Sequence, residues 1–146
     1  MPDNGHIKTF VVDTNVLASG ILRVSLDSPP VRLLQYWRDE RFSLVTSTYI
    51  INELRRTLAS AYFLARVTDQ ERTSFLEDLE AVATSVVLIR SVSGIATQPK
   101  DDPILATALN ARAHYLVTGY KALLEIGSFE GTRILTAAEF VSILGA

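Results

Sequence analysis

Apolar runs and helix-period stretches alternate along the chain. Residues 7–12 (IKTFVV) are apolar, β-branched and aromatic, which predicts a buried strand. Residues 15–22 (NVLASGIL) predict a short helix, and 25–30 (SLDSPP) a turn whose two prolines open a helix over 31–40 (VRLLQYWRDE). A strand over 41–47 (RFSLVTS) leads into a long helix over 48–66, and a further helix is predicted over 68–83 with Thr68 or Asp69 as its cap. Residues 85–90 (SVVLIR) read as a third strand, and 91–102 (SVSGIATQPKDD) as the longest loop. A helix over 103–113, a strand over 114–119 (HYLVTG), the segment 122–126 (ALLEI), a turn over 127–131 (GSFEG), a strand over 132–136 (TRILT) and a helix over 137–144 complete the pattern. Strands alternating with helices of ten to fifteen residues imply βαβ units: an α/β fold with a central parallel sheet flanked by helices on both faces. In such sheets ligands gather beyond the carboxyl ends of the strands.

That rule directs attention to the acids at strand and helix boundaries. Asp13 stands where the first strand stops and a helix starts, a position that suits both a helix cap and a functional carboxylate. Glu53 lies in the helix over 48–66, whose apolar stripe is Ile50, Leu54, Leu58 and Ala61; it falls at the edge of that stripe, partly desolvated, with Arg56 or Thr57 at pairing distance. Asp101 and Asp102 precede Pro103, which makes Asp102 the expected N-cap of the next helix, at the sheet's carboxyl edge and in the positive potential of a helix start. Thr118 ends a strand much as Asp13 does, and Tyr120 follows where another carboxylate would complete the set. Three ionised carboxylates meeting in one place require a counter-cation. Oxygen donors without His or Cys suit a hard ion, Mg²⁺ or Mn²⁺, and the chemistry implied is hydrolysis of a phosphodiester.

Length and composition narrow the reading. The chain has 146 residues, which suits a single domain over 1–146, and 48% of them are hydrophobic. There is no cysteine, so disulfides and thiolate metal sites are excluded. No run approaches a membrane span and residues 1–8 lack a signal-peptide pattern, so a cytoplasmic protein with no membrane partner is expected. The formal net charge is −2, so bulk charge does not announce a nucleic-acid partner. His6 and His114 lack metal-binding spacing, and His114 is expected to be partly buried. Arg55, Arg56, Lys100 and Lys121 flank the acids as phosphate contacts or as solvated charge, while Tyr36, Trp37, Tyr62 and Phe63 read as packing or as a dimer or partner surface. A phospho-acceptor enzyme fits less well, because Asn15 stands where a second Asp two residues after the nucleophile is wanted.

The segments FVVDTNVLASGIL, TSTYIINEL, KDDPILATALNARAHYLVTG and TRILTAAEFVSIL, in that order, resemble a PIN domain, and most closely the branch of toxin components of toxin–antitoxin systems (VapC-like). The resemblance spans nearly the whole chain. It implies a Mg²⁺- or Mn²⁺-dependent endoribonuclease acting on RNA, a protein antitoxin as partner and a homodimer. Carried over by position, Asp13, Glu53 and Asp102 match the acids that bind the ion and carry catalysis, Asp101 an extra acid, and Thr14, Asn15 and Thr118 polar residues lining the site. The branch usually reads VTGD, whereas this chain reads VTGY, with Tyr120 at the acid's place. A phenol is a poor ligand for a hard ion. The alternative implied is a catalytically impaired PIN domain acting as an RNA- or protein-binding module.

Overall fold

The consecutive apolar residues Phe10, Val11 and Val12 are all buried. Side chains along a strand alternate between faces, so a strand buried at every position has to be covered on both sides. They belong to β1 (Thr9–Val12), the centre of the sheet in this computed structural model, which describes residues 8–22, 27–96 and 98–145. The predicted strand start at Ile7, the residue His6 and part of the turn over 25–30 lie outside the described residues.

β1 pairs in parallel with β2 (Ser43–Thr46) on one side and β4 (Tyr115–Val117) on the other. β3 (Thr84–Ser85) adds to β2, and β6 (Thr132–Leu135) to β4, again in parallel. β5 (Ser128–Phe129) closes the far edge antiparallel to β6, giving the order β3-β2-β1-β4-β6-β5. The helices are α1 (Thr14–Gly20), α2 (Pro29–Arg38), α3 (Thr48–Leu58), α4 (Ala61–Leu64), α5 (Asp69–Val82), α6 (Asp102–Ala111), α7 (Lys121–Leu124) and α8 (Ala137–Gly145). The mostly parallel α/β architecture agrees with the alternation in the sequence. Phe10, Phe42, Tyr115 and Phe140 meet ring to ring and tie β1 and β4 to α8, while α6 packs on β1 and on α3. Among the described residues no helix is long and apolar enough to cross a membrane.

Four expectations are corrected. The strand over 85–90 shrinks to Thr84–Ser85, because its neighbour β2 ends at Thr46 and the last ladder bond runs from Val86 N–H to Thr46 O. Val87 and Ile89 are left exposed, and Arg90 instead exchanges two hydrogen bonds with the Asn110 side chain on α6. The helix over 48–66 breaks at Ala59 and restarts after Ser60, which is extended, so Ala61 leaves the buried stripe that Ile50, Leu54 and Leu58 keep. Segment 127–131 holds a strand as well as a turn: Glu130 and Gly131, both at positive φ, form the two-residue hairpin between β5 and β6. Thr68 caps α5 in a reciprocal capping box with Glu71, as its spacing predicts. Trp37 and Phe63 are buried, Tyr62 is half exposed, and His114 is exposed rather than partly buried, its Nδ1 accepting from Thr9 N–H.

Candidate active site

Parallel register brings the carboxyl ends of β1, β2 and β4 to one edge: Val12 stands beside Val117, and Val11 beside Val45. Asp13 follows β1 at that edge, where its own N–H donates to Val117 O at 2.8 Å. It is the N-cap of α1, extended at φ −66° and ψ 153°, and its Oδ1 accepts from Thr14 N–H at 2.7 Å. Its Oδ2 accepts from the Thr118 hydroxyl at 2.8 Å, across the β1–β4 pair. The helix cap and the carboxylate at the sheet's carboxyl edge are therefore one residue. Asp13 is almost wholly buried, and burial pushes its carboxyl up to about 6. The two hydrogen bonds oppose that shift, while the charges of Asp101 and Glu53 add to it.

Those two acids share a cleft with Asp13. The cleft holds about 40 Å³ and is lined by Asp13, Thr14, Asn15, Tyr49, Glu53, Thr57, Lys100, Asp101, Ile104 and Tyr120. Glu53 projects from α3 at the edge of the buried stripe, lines the cleft and pairs with Arg56 one turn on. Asp101 arrives from the other side, at the end of a 3₁₀ turn (Pro99–Asp101) that immediately precedes α6. Its carboxyl is raised by burial and by the charges of Asp102 and Glu53, against the lowering effect of Lys100.

Asp102, the expected third acid, does not line this cleft. Its two oxygens accept from Ala96 N–H at 2.7 Å and Gly94 N–H at 3.1 Å, holding down the loop before the helix. Nor is it the N-cap; Asp101 occupies that position, without a side-chain capping bond, and Asp102 is the first helical residue. Adjacent residues in a tight helical turn point roughly 100° apart, so only one of the pair can face the sheet edge.

The polar positions divide in a similar way. Thr14 lines the cleft, and its buried hydroxyl has no hydrogen-bond partner among the described residues. Thr118 is fully buried and acts on the cleft through Asp13. Asn15 Nδ2 donates to the Tyr120 hydroxyl at 2.5 Å, and Tyr120 N–H donates to Thr118 Oγ1 at 3.1 Å. Burial, then the charges of Asp13, Asp101 and Glu53, raise the Tyr120 phenol above its usual value. Of the flanking cations, Lys100 lines the cleft, Arg56 pairs with Glu53, and Arg55 pairs with Glu80 on α5. Tyr49 and Ile104 were not singled out from the sequence, and Thr57 entered only as a pairing partner of Glu53. Tyr49 and Thr57 lie four residues to either side of Glu53, hence on its helix face, and that spacing is the signal that finds them. Tyr49 donates to Lys100 O at 2.6 Å, tying the 3₁₀ turn to α3.

The donor set is all oxygen, three carboxylates and an unpartnered buried hydroxyl, which fits a hard divalent ion. Among the described residues no group of three or more His, Cys, Asp or Glu side chains is drawn together closely enough to hold a metal ion. The arrangement suits an ion that keeps several of its waters and takes few protein ligands, as Mg²⁺ does.

No curated protein matches the chain. Among solved structures, VapBC2 from Rickettsia felis bound to a DNA fragment from their promoter contains a chain of similar fold, with a TM-score of 0.57 at 12% sequence identity, covering 88% of this chain and 98% of that one. Residues 9–122, which run from the start of β1 to just past Tyr120 and include every residue of the cleft, match the PIN domain family. The chain belongs to the PIN domain family.

Proposed function

We propose that the protein is a divalent-metal-dependent endoribonuclease that hydrolyses RNA phosphodiester bonds, and that it is the toxin of a toxin–antitoxin pair. The observation that carries the reading is the convergence of Asp13, Glu53 and Asp101, from three separate elements, on one cleft whose most buried acid is pushed up to about 6. A buried acid with its carboxyl raised by burial and by neighbouring acids is costly to the fold, which is a common mark of functional sites. Asp13, Glu53 and Asp101 would hold Mg²⁺ or Mn²⁺, with Asp102 set aside because its oxygens are spent on the loop. Such an ion supplies positive charge for a phosphoryl oxygen and lowers the pKa of a water.

This chain's own side chains do the rest. Thr118 and Thr14 N–H fix the Asp13 carboxylate so that its remaining lone pairs face the cleft. Arg56 holds Glu53, and Tyr49 holds the turn that carries Asp101. Lys100, exposed at the rim, is placed to meet a phosphate. The fold shared with a VapBC2 chain supports the toxin assignment and a protein antitoxin as partner. Purified protein is expected to cleave RNA with Mn²⁺, to stop on addition of EDTA, and to lose cleavage in Asp13→Asn. A nuclease-free preparation that leaves RNA intact with both ions would overturn the assignment.

The second reading is a PIN domain with impaired catalysis that binds RNA. It is favoured by Tyr120, a neutral phenol at the position where the branch has an acid. Retained RNA binding with no cleavage is its signature.

A further inference from the structure

Tyr120 differs from its neighbours in the cleft in what it has to offer. An amide nitrogen can only donate, so in the contact with Asn15 Nδ2 the phenol oxygen is the acceptor. With Nδ2 as the donor, the phenol keeps its own proton for another acceptor. The ring is partly buried and packed against the hydrophobic core, and its backbone N–H is bonded to Thr118 Oγ1, which in turn is bonded to Asp13, so the Tyr120 main chain is registered to the most buried acid of the site. The cleft, at about 40 Å³, has room for an ion or a water or two and none for a nucleotide. A polynucleotide must therefore lie across the mouth, where Lys100 and Asn15 are exposed and Tyr120, Tyr49 and Thr57 are partly exposed neutral or cationic polar groups. A phosphate there faces three carboxylates, and a fourth acid would add to the repulsion. A neutral O–H at that position is an attractive contact instead.

We propose that Tyr120 is a substrate-contact residue whose hydroxyl donates a hydrogen bond to a non-bridging oxygen of the phosphodiester held at the cleft mouth. The inference rests on the reading of the cleft as a phosphodiester site. It makes Asn15 the residue that aims the proton, and it gives Tyr120 a role in holding substrate and none in holding the ion.

The test compares wild-type protein with Tyr120→Phe, which removes one oxygen from a partly exposed ring and leaves the packing intact. Binding of a short fluorescein-labelled RNA is read by anisotropy in Ca²⁺, Mn²⁺ binding without RNA by calorimetry, and cleavage in Mn²⁺ by KM and kcat. Tyr120→Phe is expected to weaken RNA binding about fivefold to tenfold, the size of one hydrogen bond to a charged partner. It is expected to raise KM alike and to leave Mn²⁺ affinity and stoichiometry unchanged. Equal RNA affinity and KM in the two proteins would overturn the inference while leaving the nuclease assignment intact. A loss of Mn²⁺ affinity as large as the loss of RNA affinity would overturn it too, by making the phenol an ion ligand. If neither protein cleaves but Tyr120→Phe still binds RNA more weakly, the inference stands and the nuclease assignment falls. Failure of the wild-type chain to bind RNA removes both.

Discussion

At the scale of single residues, Asp13 is pulled in two directions. Its hydrogen bonds favour the carboxylate, yet burial outweighs them and lifts it from 3.8 to about 6. Below pH 4 both the folded and the unfolded chain hold the proton, and the residue costs nothing. Between pH 4 and 6 the folded state keeps a proton that the unfolded chain has released, so stability falls as pH rises, levelling off above 6. A shift of that size corresponds to about 3 kcal/mol at neutral pH. Asp13→Asn does not titrate, and its amide can still accept from Thr14 N–H. In metal-free buffer the variant should therefore gain on the wild type by roughly 2 kcal/mol between pH 4 and pH 7.5, as read by urea denaturation at each pH. A stability difference that stays flat across that range would remove the cost assigned to the buried charge. The same substitution is the one expected to abolish cleavage, so a gain in stability and a loss of function would come from one atom change.

At the scale of elements, the start of α6 separates two adjacent acids by task. Asp101 ends the 3₁₀ turn and faces the cleft, whereas Asp102 begins the α-helix and grips the 94–96 loop. Hydrogen bonds to a charged acceptor contribute about 1.5–3 kcal/mol each, and leaving a buried donor bare costs a similar amount. Asp102→Asn keeps one acceptor oxygen and loses the other, so thermal or urea unfolding should show it roughly 2 kcal/mol less stable. Asp101→Asn removes a negative charge that disfavours ionised Asp13, and should leave the metal-free protein as stable as the wild type or more so. The opposite ranking would place the structural load on Asp101 and reopen Asp102 as the acid of the cleft. Tyr49 belongs to the same element logic: it joins α3 to the turn before α6 and thereby sets how near Asp101 comes to Glu53.

At the scale of the whole molecule, the site depends on elements far apart in sequence, so an ion held by it should report on global folding. Anything bound to the folded state alone stabilises it by mass action, by about 2.7 kcal/mol at a hundred times the dissociation constant. Mn²⁺ should raise the melting temperature of the wild-type protein in a concentration-dependent way, reversed by EDTA. Asp102→Asn should keep that shift from its lower starting point, and Asp101→Asn should lose most of it. Equal Mn²⁺ shifts in both variants would mean that the ion sits elsewhere. With a formal net charge of −2, the chain offers RNA no general electrostatic attraction. If RNA is the substrate, its affinity would come from the rim, through Lys100 and Tyr120, and from an ion held by the acids.

The order of elements, the parallel sheet, the capping box at Thr68 and the position of Asp13 at the end of β1 were all determined by the sequence alone. They follow from local causes: hydrophobic period, β-branching, and side chains that bond their own neighbouring backbone. Glu53 was legible for the same reason, as a carboxylate at the border of an apolar helical stripe. Only the tertiary structure decided the rest. Which of Asp101 and Asp102 faces the cleft depends on where the 3₁₀ turn gives way to α6, a boundary that the dipeptide itself does not encode. The third strand stops where its partner runs out of residues to pair with, not where its own β-formers end. Tyr49 and Tyr120 acquire their roles from what lies opposite them, a carbonyl on one side and Asn15 on the other. Position across a fold is set by packing between distant segments, and no local pattern carries it.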